Sequence, residues 1–385
     1  MDKLETNVLI LGKSGVGKSS FINYIYGEDI REKGAGKPVT EKGLHKVRYE
    51  IDNIIVNLSD SWGLEADKTN DWKKIILDEV KKSNERFSIK DWFHTIYYCF
   101  SASTARIEEF EIRDIIKPLM DEGNRVTIII THCDIKEGDE EANKLIQEKA
   151  NAMIKKLVSA LDILESDIIK VCSERKKFLN GKVIEPYGKD KVLSTLKNNL
   201  WEDIKYRIPK QYAKYIDNSL RKWVKNSVTK VEDYMKVFKG NNDSLVSIVN
   251  KIDDDLKRVY LDIEEITKKN LMEACMYYSL LVRYIYREEI DLKDKFILKN
   301  FEHNLDVKLL VGIEVLDLIR NGLIIWLPVV APIGILASRI GKKHVAKKLI
   351  DDIYNQFFKL LNDVPKMKKD LEDSINNIDI QLLLA

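Results

Sequence analysis

The stretch "TNVLILGKSGVGKSS", Thr6 to Ser20, restricts the fold more than any other part of the chain. An apolar run ends at Gly12, four residues intervene, and Gly17-Lys18-Ser19 opens a helical pattern. This is the G-x-x-x-x-G-K-S spacing in strand-then-helix context. Glycines let backbone N–H groups turn inward around phosphate oxygens, and the helix that follows adds its positive end. Gly12, Lys13, Ser14, Gly15, Val16, Gly17, Lys18, Ser19 and Ser20 are the expected nucleotide-binding residues. In that loop the lysine, Lys18, reaches the outer phosphates and the Ser19 hydroxyl is a Mg²⁺ ligand.

Strand order after the loop narrows the class. "HKVRYEI" and "IIVNLSD" alternate and are joined by Asp52-Asn53, so they read as an antiparallel hairpin. The second run ends in Asp60-Ser61-Trp62-Gly63. A carboxylate at that strand end holds Mg²⁺ through water, and the Gly63 N–H is placed to meet a terminal phosphate. "GAGKPVT", Gly34 to Thr40, supplies a threonine in a glycine-containing loop, suited to closing on Mg²⁺ in the triphosphate state. Thr40 is therefore expected to act in catalysis with Lys18 and Gly63, and as a metal ligand with Ser19 and Asp60.

Three more apolar runs, "TIYYCFS", "RVTIIITH" and "DIIKVCS", are separated by helical patterns near 71–87, 107–121 and 141–163. Strands alternating with helices predict a mainly parallel six-stranded α/β sheet covered on both faces, complete by about Tyr206. Ligands of such sheets sit at the carboxyl ends of the strands, where these motifs fall.

With these motifs in place, residues 1–206 resemble a Ras-like G domain of the translation-factor-related GTPase class. They are similar to Era/TrmE-like and dynamin/immunity-related GTPases, in which a G-x-P-V-T first switch is familiar. The resemblance implies GTP and GDP as substrate and product, with Mg²⁺. It implies Thr40 as the switch I residue, Asp60–Gly63 as switch II, and Thr131–Asp134, "THCD", as the guanine reader. It also implies Cys172, Ser173 and Glu174 as the turn that closes over the base. In the family a carboxylate, here Asp134, accepts from guanine N1–H and N2–H₂, a pattern adenine lacks. Several positions depart from the pattern. His132 stands for the usual lysine and Thr131 for asparagine, Cys172-Ser173 replaces Ser-Ala, Trp62 replaces a proline, and Leu64 replaces the water-orienting glutamine of Ras-like enzymes. His132 is expected to stack on the purine face without matching the lysine's charge. Leu64 implies slow intrinsic turnover, stimulated by self-association through the G domain or by an unknown protein effector.

The second half, 207–385, reads as all-helical. Between Pro209 and Pro328 there is no proline and only three glycines, Gly240, Gly312 and Gly322, while apolar residues recur at helical spacing. The exception is Asn321 to Ser338, an uncharged run broken by Pro328 and Pro332 and followed by Lys342, Lys343, Lys347 and Lys348. It is short of the ~20 apolar residues of a spanning helix. A buried apolar hairpin is the preferred expectation, and a hairpin dipping into an anionic membrane surface the alternative. Final helices are expected at 343–363 and 366–384.

Composition sets the remaining bounds. With 64 basic against 62 acidic residues, nothing in the global charge argues for nucleic acid. Cys99, Cys133, Cys172 and Cys275 lie far apart, without metal-ligand spacing, and read as reduced thiols of a cytoplasmic protein, mostly buried. No signal-peptide pattern is expected at the N-terminus, where Met1-Asp2-Lys3 leads into a strand.

Overall fold

The computed structural model describes residues 3–27, 44–51, 54–61, 69–86, 88–133, 140–177, 183–237, 242–289 and 342–383. Several predicted features lie outside these residues: Thr40, Trp62, Gly63, Leu64, Asp134 and the 321–338 run.

The described residues form two compact units. One runs to Ile204 and includes Tyr277–Glu289; the other contains Lys205–Met276 and the C-terminal helix. The first unit is built on β1 (Leu4–Gly12), β2 (Leu44–Ile51), β3 (Ile54–Ser61), β4 (Thr95–Ser101), β5 (Val126–Thr131) and β6 (Ile168–Lys170). Their order is β2-β3-β1-β4-β5-β6. β2 pairs antiparallel with β3 at the edge, and every other pairing is parallel. The hairpin followed by parallel strands is the arrangement expected from the alternating runs.

Alternate side chains of the strands feed two cores. Leu9 and Leu11 of β1 join Tyr98 and Phe100 of β4 under α2 (Thr69–Asn84), whose Trp72, Ile76 and Val80 are fully buried. α5 (Glu140–Leu161) adds Ala150, Met153 and Leu157 to the same cluster. On the opposite face, Phe21 of α1 (Lys18–Tyr26) meets Tyr97 edge-on at 5.6 Å. The Tyr97 hydroxyl donates to the carbonyl of Val192 at 3.2 Å, within α6 (Lys189–Val237). Every residue of β4 is buried, as a central strand covered on both faces must be.

Two local features were not legible from periodicity. The helical run after β4 consists of α3 (Glu109–Glu111), a π-helical turn at Ile112–Ile116, and α4 (Lys117–Asp121). Pro118 supplies a reason, because its ring would strike the carbonyl four residues back, at Asp114, in a regular α-helix. A wider turn over that carbonyl relieves the clash. Past β6, a short hairpin forms from β7 (Lys176–Lys177) and β8 (Val183–Ile184).

The second unit is helical. α6 continues without interruption past the boundary expected at 206/207, with Pro209 inside it. Among the described residues, most of α7 (Asn242–Glu289) and α8 (Lys342–Leu383) also belong to it. Buried residues of α6, Ile208, Tyr212, Ile216, Leu220 and Trp223, recur every three or four positions. So do Val345, Leu349, Ile353, Phe357, Leu360 and Val364 of α8. The Trp223 indole N–H donates to the carbonyl of Ile252 at 3.2 Å, and the Arg221 guanidinium lies 5.8 Å from the centre of the Phe357 ring. Such stripes packed on one another are what stabilise helices this long. The two C-terminal helices expected at 343–363 and 366–384 are one helix, with Pro365 inside it. A proline removes one backbone bond, and the apolar stripe on both sides of it holds the chain helical. Among the described residues, no helix is long and apolar enough to cross a membrane.

Candidate functional site

At the carboxyl end of β1 the chain turns through three glycines with positive φ: Gly12 at 141°, Gly15 at 77° and Gly17 at 85°. The first and last are required by space as well as by torsion. A Cβ on Gly12 would lie 2.6 Å from the carbonyl oxygen of Cys99, and one on Gly17 would lie 2.7 Å from Nε2 of His132. Gly15 faces open space. Gly17 caps α1, and the first helical bond runs from the Phe21 N–H to the Gly17 carbonyl at 2.9 Å. The loop thus leads directly into a helix N-terminus, the arrangement in which backbone N–H groups meet phosphate.

Lys18 is buried, and its ammonium donates to the carbonyls of Gly12 and Lys13, each at 2.9 Å. The lysine thus lies folded back along the loop that it completes. Ser19 follows in the first turn, half-buried, and Ser20 is exposed. Asp60 lies near the end of β3, in register with Ile10 of β1, and is 8% exposed. Burial pushes the Cys99 thiol up to about 12, with Lys18 lowering it and Asp60 raising it. Both charges therefore act at the same place, under the loop. A serine hydroxyl and a nearly buried carboxylate beside phosphate donors are hard oxygen ligands of the kind Mg²⁺ takes, with water and phosphate completing its shell.

The next strand ends bring in the expected base-reading residues. Thr131 is buried, and its hydroxyl reaches two carbonyls, that of Phe100 at 2.9 Å and that of Val16 in the phosphate loop. The end of this strand is thus fastened to the loop. His132 adopts a left-handed φ of 49°, and its ring packs on Gly17. That contact is with the phosphate loop. Cys133 is buried, and its thiol donates to the Ile130 carbonyl at 3.3 Å.

Two residues overlooked in the motif reading join this turn to the one after β6. The Tyr187 hydroxyl donates to the carbonyl of Cys133 at 3.3 Å, and the Gln147 amide reaches the same carbonyl at 3.4 Å. The Tyr187 backbone exchanges two hydrogen bonds with Cys172, at 3.2 and 3.0 Å. Cys172 is buried, Ser173 half-buried and Glu174 exposed, and the Cys172 thiol donates to the Glu174 carbonyl at 3.4 Å. The only sequence signal for Tyr187 is the following Gly188, whose φ of 100° and close approach to the Lys170 carbonyl set the turn. The structure thus brings Gly12–Ser20, Asp60, Thr131–Cys133 and Cys172–Glu174 to the carboxyl ends of neighbouring strands.

Residues 7–159 match the family model described as 50S ribosome-binding GTPase. The small ribosomal subunit biogenesis GTPase RsgA of Clostridium kluyveri is 27% identical over 99 residues, which is 26% of this chain. The match spans 32% of that relative's length. Among solved structures, Toc33 of Arabidopsis thaliana is similar at 15% identity and a TM-score of 0.34, over 51% of this chain and 84% of that one. The G domain of the T. maritima FeoB iron transporter is similar at 16% identity and a TM-score of 0.32, over 51% of this chain and 98% of that one. Sheet order and phosphate loop give the N-terminal part of this chain the fold of a Ras-like G domain, and residues 7–159 are similar to the family model named above.

Proposed function

We propose that this protein binds GTP and GDP with Mg²⁺, hydrolyses GTP slowly, and uses the nucleotide state to move its helical region. The observation that carries this reading is the fastening of Thr131 to Val16, which fixes the base-reading strand end against the phosphate loop. A purine and its phosphates then span a frame of set length. Lys18 leaves its loop carbonyls for the β- and γ-phosphate oxygens, and the Gly63 N–H meets the γ-phosphate. Ser19, Thr40 and Asp60 would hold Mg²⁺, which would neutralise charge on the β- and γ-phosphates. Asp134 accepts from the guanine edge, and a base unable to donate there leaves a buried carboxylate unmet.

Leu64 supplies no water-orienting amide, so subunits or an effector complete the site, and turnover per molecule rises with protein concentration. Self-association through the G domain follows from the dynamin-like and Era/TrmE-like resemblance. The membrane alternative rests on the uncharged 321–338 run and the lysines after it. A second reading, a GTP-dependent switch acting on a protein or RNA partner, is favoured by the ribosomal names of the matched family and of RsgA. Flotation with anionic liposomes and co-sedimentation with ribosomes, each with GTP and with GDP, separate the two. GTP-dependent flotation supports membrane docking, and GTP-dependent sedimentation supports a ribosomal partner. Loss of GDP binding in Lys18→Ala tests the shared core, and unchanged binding contradicts it.

A further inference from the structure

We infer that Glu111 is a positioning residue for the phosphate loop, acting through Lys13; the inference rests on the guanine-nucleotide reading above. Lys13 is the second residue of the loop and lines a cavity of about 490 Å³ together with Glu108, Phe110 and Glu111. Its ammonium lies 2.9 Å from the Glu111 carboxylate and 3.1 Å from that of Glu108, and 5.4 Å from the centre of the Phe110 ring. The Glu111 side chain is 1% exposed and that of Lys13 is 22% exposed, so solvent screens this pair far less than a surface pair.

Two donors and a cation converge on the Glu111 carboxylate. The Tyr98 hydroxyl donates at 3.0 Å and the Glu108 N–H at 3.0 Å, and the Lys13 ammonium pairs with it as an ion at 2.9 Å. Tyr98 is in the middle of β4, the central strand, and Glu111 immediately precedes the π-helical turn. The carboxylate is thus fixed by the sheet on one side and by a helix start on the other. Lys13 is the movable member, and its backbone matters as much as its side chain, because its carbonyl receives the Lys18 ammonium at 2.9 Å. A continuous chain runs from Tyr98 through Glu111 and the Lys13 side chain to the carbonyl that parks Lys18. Holding Lys13 down fixes the peptide units that face phosphate.

The alternative role for this cluster is structural only, as a buried ion pair that the fold tolerates. The two roles differ in what a double substitution does. Removing one partner strands a buried charge, whereas removing both leaves none. If the cluster is structural only, Lys13→Met/Glu111→Gln recovers both stability and nucleotide affinity. If Glu111 positions the loop, the double variant recovers stability but stays weak for nucleotide.

The test measures binding of a fluorescent methylanthraniloyl-GDP to the full chain, with thermal melts on the same samples. Glu111→Gln and Lys13→Met are each expected to bind about tenfold more weakly than wild type, a coupling ordinary for adjacent charged residues. The double variant should bind no more weakly than either single and melt higher than both, and Lys13→Arg should restore binding. Wild-type affinity in Glu111→Gln, or in the double variant, overturns the inference. Should Glu111→Gln lose its cooperative melt, the double variant alone decides by the same criterion. Absence of GDP binding in wild type would instead overturn the nucleotide reading itself.

Discussion

Gly17 meets two demands at once, a φ of 85° and a ring of His132 against its Cα. Gly17→Ala is therefore expected to destabilise the protein by about 1–3 kcal/mol from torsional strain alone. It should also push His132 off the loop and weaken GDP binding; His132→Ala in the same chain should relieve the collision but leave the strain. Calorimetry and GDP titration of the single and double variants check this, and an unstrained Gly17→Ala contradicts it. Cys99 gives a pH prediction. Its ordinary value is 9.0 and burial raises it to about 12. The native thiol keeps its proton while the unfolded one loses it, so this contribution to stability is intact below pH 9 and declines as pH rises towards 12. Urea melts at pH 8 and pH 10 should show the decline, and Cys99→Ala should show less of it. At this scale the phosphate loop was readable because its chemistry needs fixed spacing. The His132 contact was not, since it depends on two loops meeting across a sheet.

The elements were legible where periodicity is strong. The hairpin, the parallel strands and the helical second half follow from alternation, from helical spacing and from the scarcity of glycine and proline. The exceptions share a cause: tertiary packing overrides a local signal. The sequence predicts two helices meeting near Pro365, yet α8 runs through it because apolar residues on both sides are already held, Val364 and Leu371 among them. Pro365 itself is exposed, so Pro365→Ala is expected to raise the thermal midpoint by restoring a backbone bond at no packing cost, worth up to about 3 kcal/mol. A lowered midpoint would mean that the proline is needed there. Tyr187 belongs to the same scale, since it ties the turn after β5 to the turn after β6. Tyr187→Phe loses one hydrogen bond, about 1 kcal/mol, and should speed GDP release with little change in melting. Stopped-flow release rates check this, and an unchanged rate would detach Tyr187 from the site.

At the scale of the whole molecule, α6 runs without a break from the first unit into the second. That continuity is why the boundary was hard to place from sequence: no glycine, proline cluster or polar linker marks it, and Pro209 sits inside the helix. The proposed function depends on the phosphate loop and the base-reading turn serving one guanine nucleotide. The most direct test is competition against fluorescent GDP on the full chain with Mg²⁺, using GTP, GDP and ATP in turn. GTP and GDP should displace the probe at concentrations at least about a hundredfold below those needed for ATP, because a site built to pair a buried acceptor rejects a base that lacks the donors. Equal displacement by ATP would contradict it.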